Sequence, residues 1–307
     1  MKAYCIFDDF PRNDIDLIRE KGIELDVLTK GQERPAGKEL ERLLNQYDVL
    51  IIGTGQKLET SFFDNVTSKK IIVTASTGID HIKVPENKKE LVTIINSPTA
   101  IAATVAEHVF AFIFAQEKLL FSGRDVAYKG EHKKAIGKTP QDISGKTLGI
   151  IGFGHVGQAV AKFSSAFNMN VLANTATPKK YENYKDVKFV SLDTVLMEAD
   201  IIVMAVPLTE TTKNLISKDR IDLMKSNSLF ISVSRPESCD NEALLAKAED
   251  NSNFRVCLDY DADKVQGKWN KDSYNILVTP HIAGGTVQSR IRLFDEASKR
   301  FLELLND

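Results

Sequence analysis

Thr147-Leu-Gly-Ile-Ile-Gly-Phe-Gly-His-Val-Gly157 is the stretch on which the fold turns. An apolar run from Leu148 to Ile151 ends in Gly152-x-Gly154-x-x-Gly157. A helical pattern follows at once, with Val156, Val160, Phe163 and Phe167 at apolar positions. Strand, glycine turn and amphipathic helix in that order are the setting a dinucleotide fingerprint requires. Gly152 allows the tight turn, Gly154 lets backbone N–H groups approach a pyrophosphate, and Gly157 lets the helix pack closely on the strand. The helix N-terminus, with free N–H groups and a partial positive charge, would then hold the phosphates. The spacing alone is a weak signal, because a βα turn without a ligand carries the same glycines. The flanking strand and helix are what favour the cofactor reading.

Upstream of this stretch lies a first α/β unit. Strands are expected at 2–7, 25–28, 48–53, 70–74 and 91–95, with helices at 14–20 and 39–45. Alternation of strand and helix implies a parallel sheet covered on both faces. An apolar segment at 100–120 reads as one long buried helix leaving that unit, and Thr104, Glu107, His108 and Gln116 interrupt it too often for a membrane span. A lysine-rich stretch, Tyr128 to Pro140, reads as a solvated loop. Downstream, strands are expected at 147–151, 170–174, 187–190, 200–205, 228–232, 254–258 and 276–278. Twelve strands exceed what one twisted open sheet comfortably holds. Two Rossmann-like parallel-sheet domains, flavodoxin-like plus dinucleotide-binding, with a cleft between them fit better. The final helix, 286–305, would cross back to complete the first domain. The expected division is therefore 1–99 plus 286–307 for a discontinuous substrate domain and 100–285 for the dinucleotide-binding domain.

The totals narrow the function. The chain has 307 residues, 43% hydrophobic and 27% charged, and a formal net charge of -2. No strong field points to nucleic acid or an anionic membrane. Cys5, Cys239 and Cys257 lack metal-type spacing and read as reduced thiols of a cytoplasmic protein, so neither a metal nor a disulfide frame is expected. The N-terminus is too poor in apolar residues for a signal peptide.

In open α/β sheets ligands bind beyond the carboxyl ends of the strands. Two residues there suit chemistry on a small anion. Arg235 follows the strand Ser228-Leu-Phe-Ile-Ser232, where its fork can hold a carboxylate by two parallel charge-assisted bonds. His281 follows Ile276-Leu-Val-Thr-Pro280 and precedes Ala283-Gly-Gly285, small residues that leave room around a ring suited to proton transfer. Their plainer readings are a surface arginine and a packed loop histidine. His108 reads as structural within its helix. His81 would line the cleft, and His155 would flank phosphate. Phe10, Pro11 and Trp269 are candidates to meet a substrate tail, with ordinary packing the simpler reading.

These pieces together resemble the D-isomer-specific 2-hydroxyacid dehydrogenases. The matching motifs are Thr77-Gly-Ile-Asp-His81, Asn96-Ser-Pro98, Thr104-Val-Ala-Glu107, Gly145-Lys-Thr-Leu-Gly-Ile-Ile-Gly-Phe-Gly154, Val206-Pro-Leu-Thr209, Ser232-Val-Ser-Arg235, Leu258-Asp259 and Thr279-Pro-His-Ile-Ala-Gly284, in the family's order. The resemblance implies a homodimer, a nicotinamide cofactor and a small 2-oxo acid substrate, with no nucleic acid or membrane partner. It implies that Arg235 binds and polarises the 2-oxo acid while His281 gives a proton to the carbonyl oxygen. Backbone N–H groups of Thr77 and Gly78 would hold the substrate carboxylate, and Asp259 would bond the nicotinamide carboxamide. His155 and Val156 would lie over the pyrophosphate. Val206, Pro207, Thr211, Val233 and Gly284 fall among the remaining cofactor contacts. Such an arrangement is physically coherent, because reduction places negative charge on the carbonyl oxygen, where a cation and a proton donor favour the transition state.

Three departures from the family pattern stand out. The glutamate that usually pairs with the histidine is replaced by Lys264, which would lower rather than raise an imidazole pKa. Asp261 and Asp263 are the candidates to replace that carboxylate, or the histidine works alone, more weakly or at lower pH. Pro236 stands where glycine usually follows the arginine, which pushes Arg235 towards an extended backbone. Thr175, eighteen residues after Gly157, stands where NAD-specific members carry an acid. With Thr177, Lys179 and Lys180 close by, NADP is favoured over NAD. An active 2-oxo acid reductase is the leading expectation. The alternatives are a dinucleotide-binding regulator or scaffold without turnover, or a dehydrogenase for another polar substrate.

Overall fold

The computed structural model describes residues 1–260 and 273–306. The chain divides into two compact units, Met1–Ile101 with Thr286–Asp307, and Ala102–Gly285. In the first unit the elements run β1 (Lys2–Cys5), α1 (Arg12–Glu20), β2 (Glu24–Val27), α2 (Gly37–Gln46), β3 (Val49–Ile52), β4 (Lys70–Thr74) and β5 (Val92–Ile95). The five strands form one sheet in the order β2-β1-β3-β4-β5, and every pairing is parallel. β3 is buried along its whole length, Val49-Leu-Ile-Ile52, as a strand covered on both faces must be. The strand order reverses between β1 and β3, the flavodoxin-like arrangement.

The second unit opens with α3 (Ala102–Glu117) and α4 (Leu120–Tyr128) and continues β6 (Thr147–Ile151), α5 (His155–Ser165), β7 (Asn170–Asn174) and β8 (Val187–Phe189). Then come α6 (Leu192–Glu198), β9 (Ile201–Met204), α7 (Lys218–Leu223), β10 (Leu229–Ser232), α8 (Asn241–Asp250), β11 (Arg255–Asp259) and β12 (Ile276–Thr279). Its seven-stranded sheet runs β12-β11-β10-β9-β6-β7-β8, again wholly parallel. β6 is thus the first strand of a doubly wound dinucleotide-type sheet, with the order reversing between β6 and β9. Strand periodicity splits the core into two layers. Ile151, Ile202, Met204, Phe230 and Val256 face α6, α7 and α8. Leu148, Ile150, Val203 and Ile231 face α3 and α5.

α9 (Val287–Leu304) belongs to the first unit. Phe294, Ala297 and Phe301 bury one face in that unit's core, and Phe294 meets the edges of Phe7 and Phe10 at 5.0 and 5.2 Å. A capping box of Thr286 and Ser289 fixes where α9 begins. Among the described residues, no helix is long and apolar enough to cross a membrane.

One expectation is corrected. The segment 100–120 is not a single helix, because Leu119 adopts φ +54° and separates α3 from α4. No glycine or proline marks the break. Its cause is tertiary. Glu117, 1% exposed, pairs with Lys146 and Arg255, each at 2.9 Å, and its carbonyl accepts from Gln141 N–H. Anchoring a buried carboxylate to two cations outweighs continuing the helix, since an unpaired charge there would be far costlier than one left-handed residue.

Candidate active site

The glycines after β6 show which of them the protein needs for itself. Gly152 has φ +94°, and a Cβ there would lie 2.5 Å from the Ala205 carbonyl oxygen. A Cβ on Gly157 would collide with the Gly152 carbonyl oxygen and reach Ile150 Cγ2 at 3.2 Å. Turn and helix packing therefore account for both. Gly154 is different, since a Cβ there would meet nothing within 4 Å. It caps α5 without a side-chain bond, and His155, Val156 and Gly157 form the first turn. The N-terminus of α5 is thus uncapped and exposed at Gly154, a setting in which free N–H groups can meet an anion.

The loops after β9 and β10 are braced to one another. Val206 N–H donates to Ser234 Oγ at 2.8 Å, and Ser234 N–H donates to Ser232 Oγ at 3.3 Å. Fully buried Tyr260 donates its hydroxyl to the same Ser232 Oγ at 2.6 Å. Burial pushes that phenol well above its ordinary range, so it acts as a neutral donor. Pro207 and Thr211 follow in a threonine-rich turn, where Thr212 Oγ1 donates to the Pro207 carbonyl at 2.6 Å and Thr209 and Thr211 hydroxyls meet at 3.1 Å. Val233 N–H donates to the Met204 carbonyl at 3.1 Å. Arg235 leaves this braced loop half-buried, with φ -121° and ψ 146°, the extended backbone that Pro236 imposes.

His281 sits beyond β12 on an exposed, left-handed turn with φ +52°, and Gly284 follows two residues after Ile282 on the same turn. Its N–H donates to the Thr279 carbonyl at 3.0 Å. Asp259, at the end of β11 and 3% exposed, clamps the turn. Its Oδ1 accepts from Thr279 Oγ1 at 2.6 Å and Ile282 N–H at 2.8 Å, and its Oδ2 accepts from Ala283 N–H at 2.8 Å. On the far side of Thr279 Oγ1 lies His108 Nε2 at 3.1 Å. His108 is therefore joined to this turn, although its place in the sequence suggested only a packing role. β10, β11 and β12 are neighbours, so Arg235 and His281 leave strands about 10 Å apart, two strand spacings, with Asp259 between. Among the described residues no group of three or more His, Cys, Asp or Glu side chains is placed to hold a metal.

β7 ends at Asn174, whose Nδ2 donates to the Val190 carbonyl at 3.1 Å. Thr175 follows half-buried, Thr177 and Lys180 are exposed, and the Lys180 ammonium lies 5.7 Å from the Tyr181 ring centroid. In the first unit, the loop after β4 is held by side chains. Thr77 Oγ1 donates to the Ser97 carbonyl at 3.0 Å, Asn96 Nδ2 to the Thr77 carbonyl at 2.7 Å, and Ser76 Oγ to the Gly78 carbonyl at 2.7 Å. These bonds engage carbonyls, not the N–H groups of Thr77 and Gly78. His81 Nε2 lies 3.1 Å from Thr74 Oγ1. Phe10, 6% exposed, is part of the core against Phe294, so the packing reading holds for it. Asp261, Asp263, Lys264 and Trp269 lie outside the described residues.

Sequence reasoning had not singled out Tyr260, Ser234 or Thr279 as braces. Their hydroxyls sit at or beside strand ends, which is the one hint the sequence offers, and it is a weak one.

Comparison with known proteins identifies the family. Residues 110–283 match the D-isomer specific 2-hydroxyacid dehydrogenase NAD binding domain. Hydroxypyruvate reductase from Thermotoga maritima is 31% identical over 287 residues, covering 92% of this chain and 92% of that protein. Glyoxylate reductase from Pyrococcus furiosus is 29% identical over 290 residues, covering 91% of this chain and 85% of that protein. The solved D-lactate dehydrogenase from Aquifex aeolicus, complexed with NAD and lactic acid, superposes with a TM-score of 0.79 at 27% identity, covering 100% of this chain and 96% of that one. With more than half of its length inside the matching NAD binding domain, the chain belongs to the D-isomer specific 2-hydroxyacid dehydrogenase family.

Proposed function

We propose that the protein reduces a small 2-oxo acid to the D-2-hydroxy acid with a nicotinamide dinucleotide, and catalyses the reverse oxidation. The observation that carries this is the placement of Arg235, Asp259 and His281 at the carboxyl ends of three adjacent parallel strands. The glycine turn after β6 opens from the same end of that sheet. A carbonyl that gains negative charge is served by such a set, a cation and a proton donor beside it.

When bound, the reduced nicotinamide supplies hydride to the carbonyl carbon. Backbone N–H groups of Gly154, His155 and Val156 at the α5 N-terminus would hold the diphosphate, with Gly152 and Gly157 shaping the turn and the helix packing that present them. Val206, Pro207, Thr211, Val233 and Gly284 line the remainder of the dinucleotide. Asp259 Oδ2 has one further lone pair, the acceptor for the carboxamide. The Arg235 guanidinium binds and polarises the 2-oxo acid, and N–H groups of Thr77 and Gly78 receive the carboxylate. His281 releases its ring proton to the carbonyl oxygen, which balances the incoming hydride and leaves a neutral hydroxyl. In the reverse direction the same nitrogen takes the proton back.

Thr175, Thr177 and Lys180 favour NADP, since no carboxylate at the end of β7 repels a 2′-phosphate. The homodimer and a cytoplasmic location complete the reading. The three cysteines are buried free thiols, in keeping with a reducing compartment. Following cofactor oxidation with glyoxylate, hydroxypyruvate, pyruvate and an aromatic 2-oxo acid tests the reading. Turnover with any of them that His281→Ala abolishes supports it. Saturable cofactor binding without turnover favours the regulator instead.

A further inference from the structure

A hydroxyl has one proton, and the bonds around Thr279 say where it goes. Thr279 Oγ1 donates its proton to Asp259 Oδ1, 2.6 Å away, and that carboxylate oxygen is held as the acceptor by also receiving Ile282 N–H. The Thr279 lone pairs then face His108 Nε2 at 3.1 Å, which must bring the proton of that second bond. His108 therefore carries hydrogen on Nε2. Phe112, one helical turn along α3, holds the ring edge-on at 4.5 Å, so its direction is fixed by packing. Burial lowers the His108 imidazole below the usual histidine range, with the Asp259 charge opposing in part.

We propose that His108 and Thr279 are positioning residues for His281, acting through the carboxylate of Asp259. The logic is local. His281 holds φ +52°, the left-handed region that a side-chain-bearing residue occupies only when its surroundings hold it there. Asp259 does so by gripping the two N–H groups that directly follow, on Ile282 and Ala283. The Thr279 hydroxyl, itself aimed by His108, fixes the rotamer of Asp259 from the opposite side. In this chain Lys264 stands where the family's histidine partner is usually acidic. The His108–Thr279–Asp259 line holds the turn from α3, β12 and β11. It rests on the function proposed above, because it gives His281 a geometry worth holding.

Substitutions separate the two claims. Thr279→Val keeps the shape and removes the hydroxyl, and Thr279→Ser restores it. His108→Leu removes the donor, and His108→Gln returns an N–H of similar reach. In the full chain, Thr279→Val and His108→Leu are expected to lower kcat on the order of tenfold, with KM for the 2-oxo acid nearly unchanged because Arg235 is untouched. Thr279→Ser and His108→Gln are expected to recover most of that loss. Hydrogen–deuterium exchange of the 280–285 peptide, read without substrate, should quicken in Thr279→Val and return in Thr279→Ser. Wild-type kcat in Thr279→Val, or unchanged exchange in that peptide, overturns the proposal. Absence of turnover in the wild-type protein instead removes the reductase reading, while the exchange experiment still decides the clamp.

Discussion

Gly152 and Gly154 stand two positions apart and differ in what a side chain would meet. Gly152→Ala forces a Cβ against the Ala205 carbonyl at φ +94°, so a melting experiment should show a loss of at least about 1–2 kcal/mol. Gly154→Ala finds open space and should melt like the parent. On the proposed site its Cβ would stand where the diphosphate lies, so cofactor affinity should fall about tenfold or more, roughly 1.4 kcal/mol, in a fluorescence titration. Equal affinity in the two proteins would return the turn to a packing role. Thr175→Asp tests the cofactor preference in the same way. A carboxylate at the end of β7 would repel a 2′-phosphate, so KM for NADPH should rise about tenfold relative to that for NADH. The position and identity of these residues were legible in the sequence, since spacing alone marks them. What each glycine does was not, because it depends on the Ala205 carbonyl, far along the chain.

The seam between α1 and α9 carries a buried titratable group. Asp14 on α1 is buried, and burial first, then the Asp295 charge, raises its carboxyl pKa, with Lys299 and Ser298 on α9 opposing. A carboxyl whose folded pKa is raised favours the fold below its ordinary range and loses that contribution as pH rises through the folded value. Asp14→Asn should therefore stabilise the protein at neutral pH, and its advantage in Tm should disappear as pH falls below the ordinary carboxylate range. A constant advantage across that range would contradict the account. Strands and helices of this kind were mostly legible, because β-branched runs such as Val49-Leu-Ile-Ile52 have no other good home. The break at Leu119 was not. It follows from Glu117 meeting Lys146 and Arg255, an encounter between residues remote in sequence. The return of α9 to the first unit was expected because the chain leaves that unit by one helical crossing near 100–120, which a final helix with an apolar face can reverse.

Two parallel sheets, one of order β2-β1-β3-β4-β5 and one that contains the strand before the glycine turn, form the frames of the two units. Candidate residues were legible as the loops that follow strands. Their tasks were less so, as Asp259 illustrates. The sequence suggested a cofactor contact, and the structure shows three bonds to the turn that bears His281. Asp261 and Asp263 keep their sequence-based role as candidate partners of the histidine. Asp261→Asn and Asp263→Asn should shift the pH–rate profile if either serves, and unchanged profiles would remove both. The most direct measurement is the rate of NADPH and NADH oxidation by the purified protein with glyoxylate and hydroxypyruvate, compared in the parent, Arg235→Lys and His281→Ala. The account predicts turnover in the parent, a loss on the order of a hundredfold or more in kcat for His281→Ala, and a weakened kcat/KM for Arg235→Lys, whose point charge cannot reproduce a bidentate grip. Undiminished turnover in His281→Ala would contradict it.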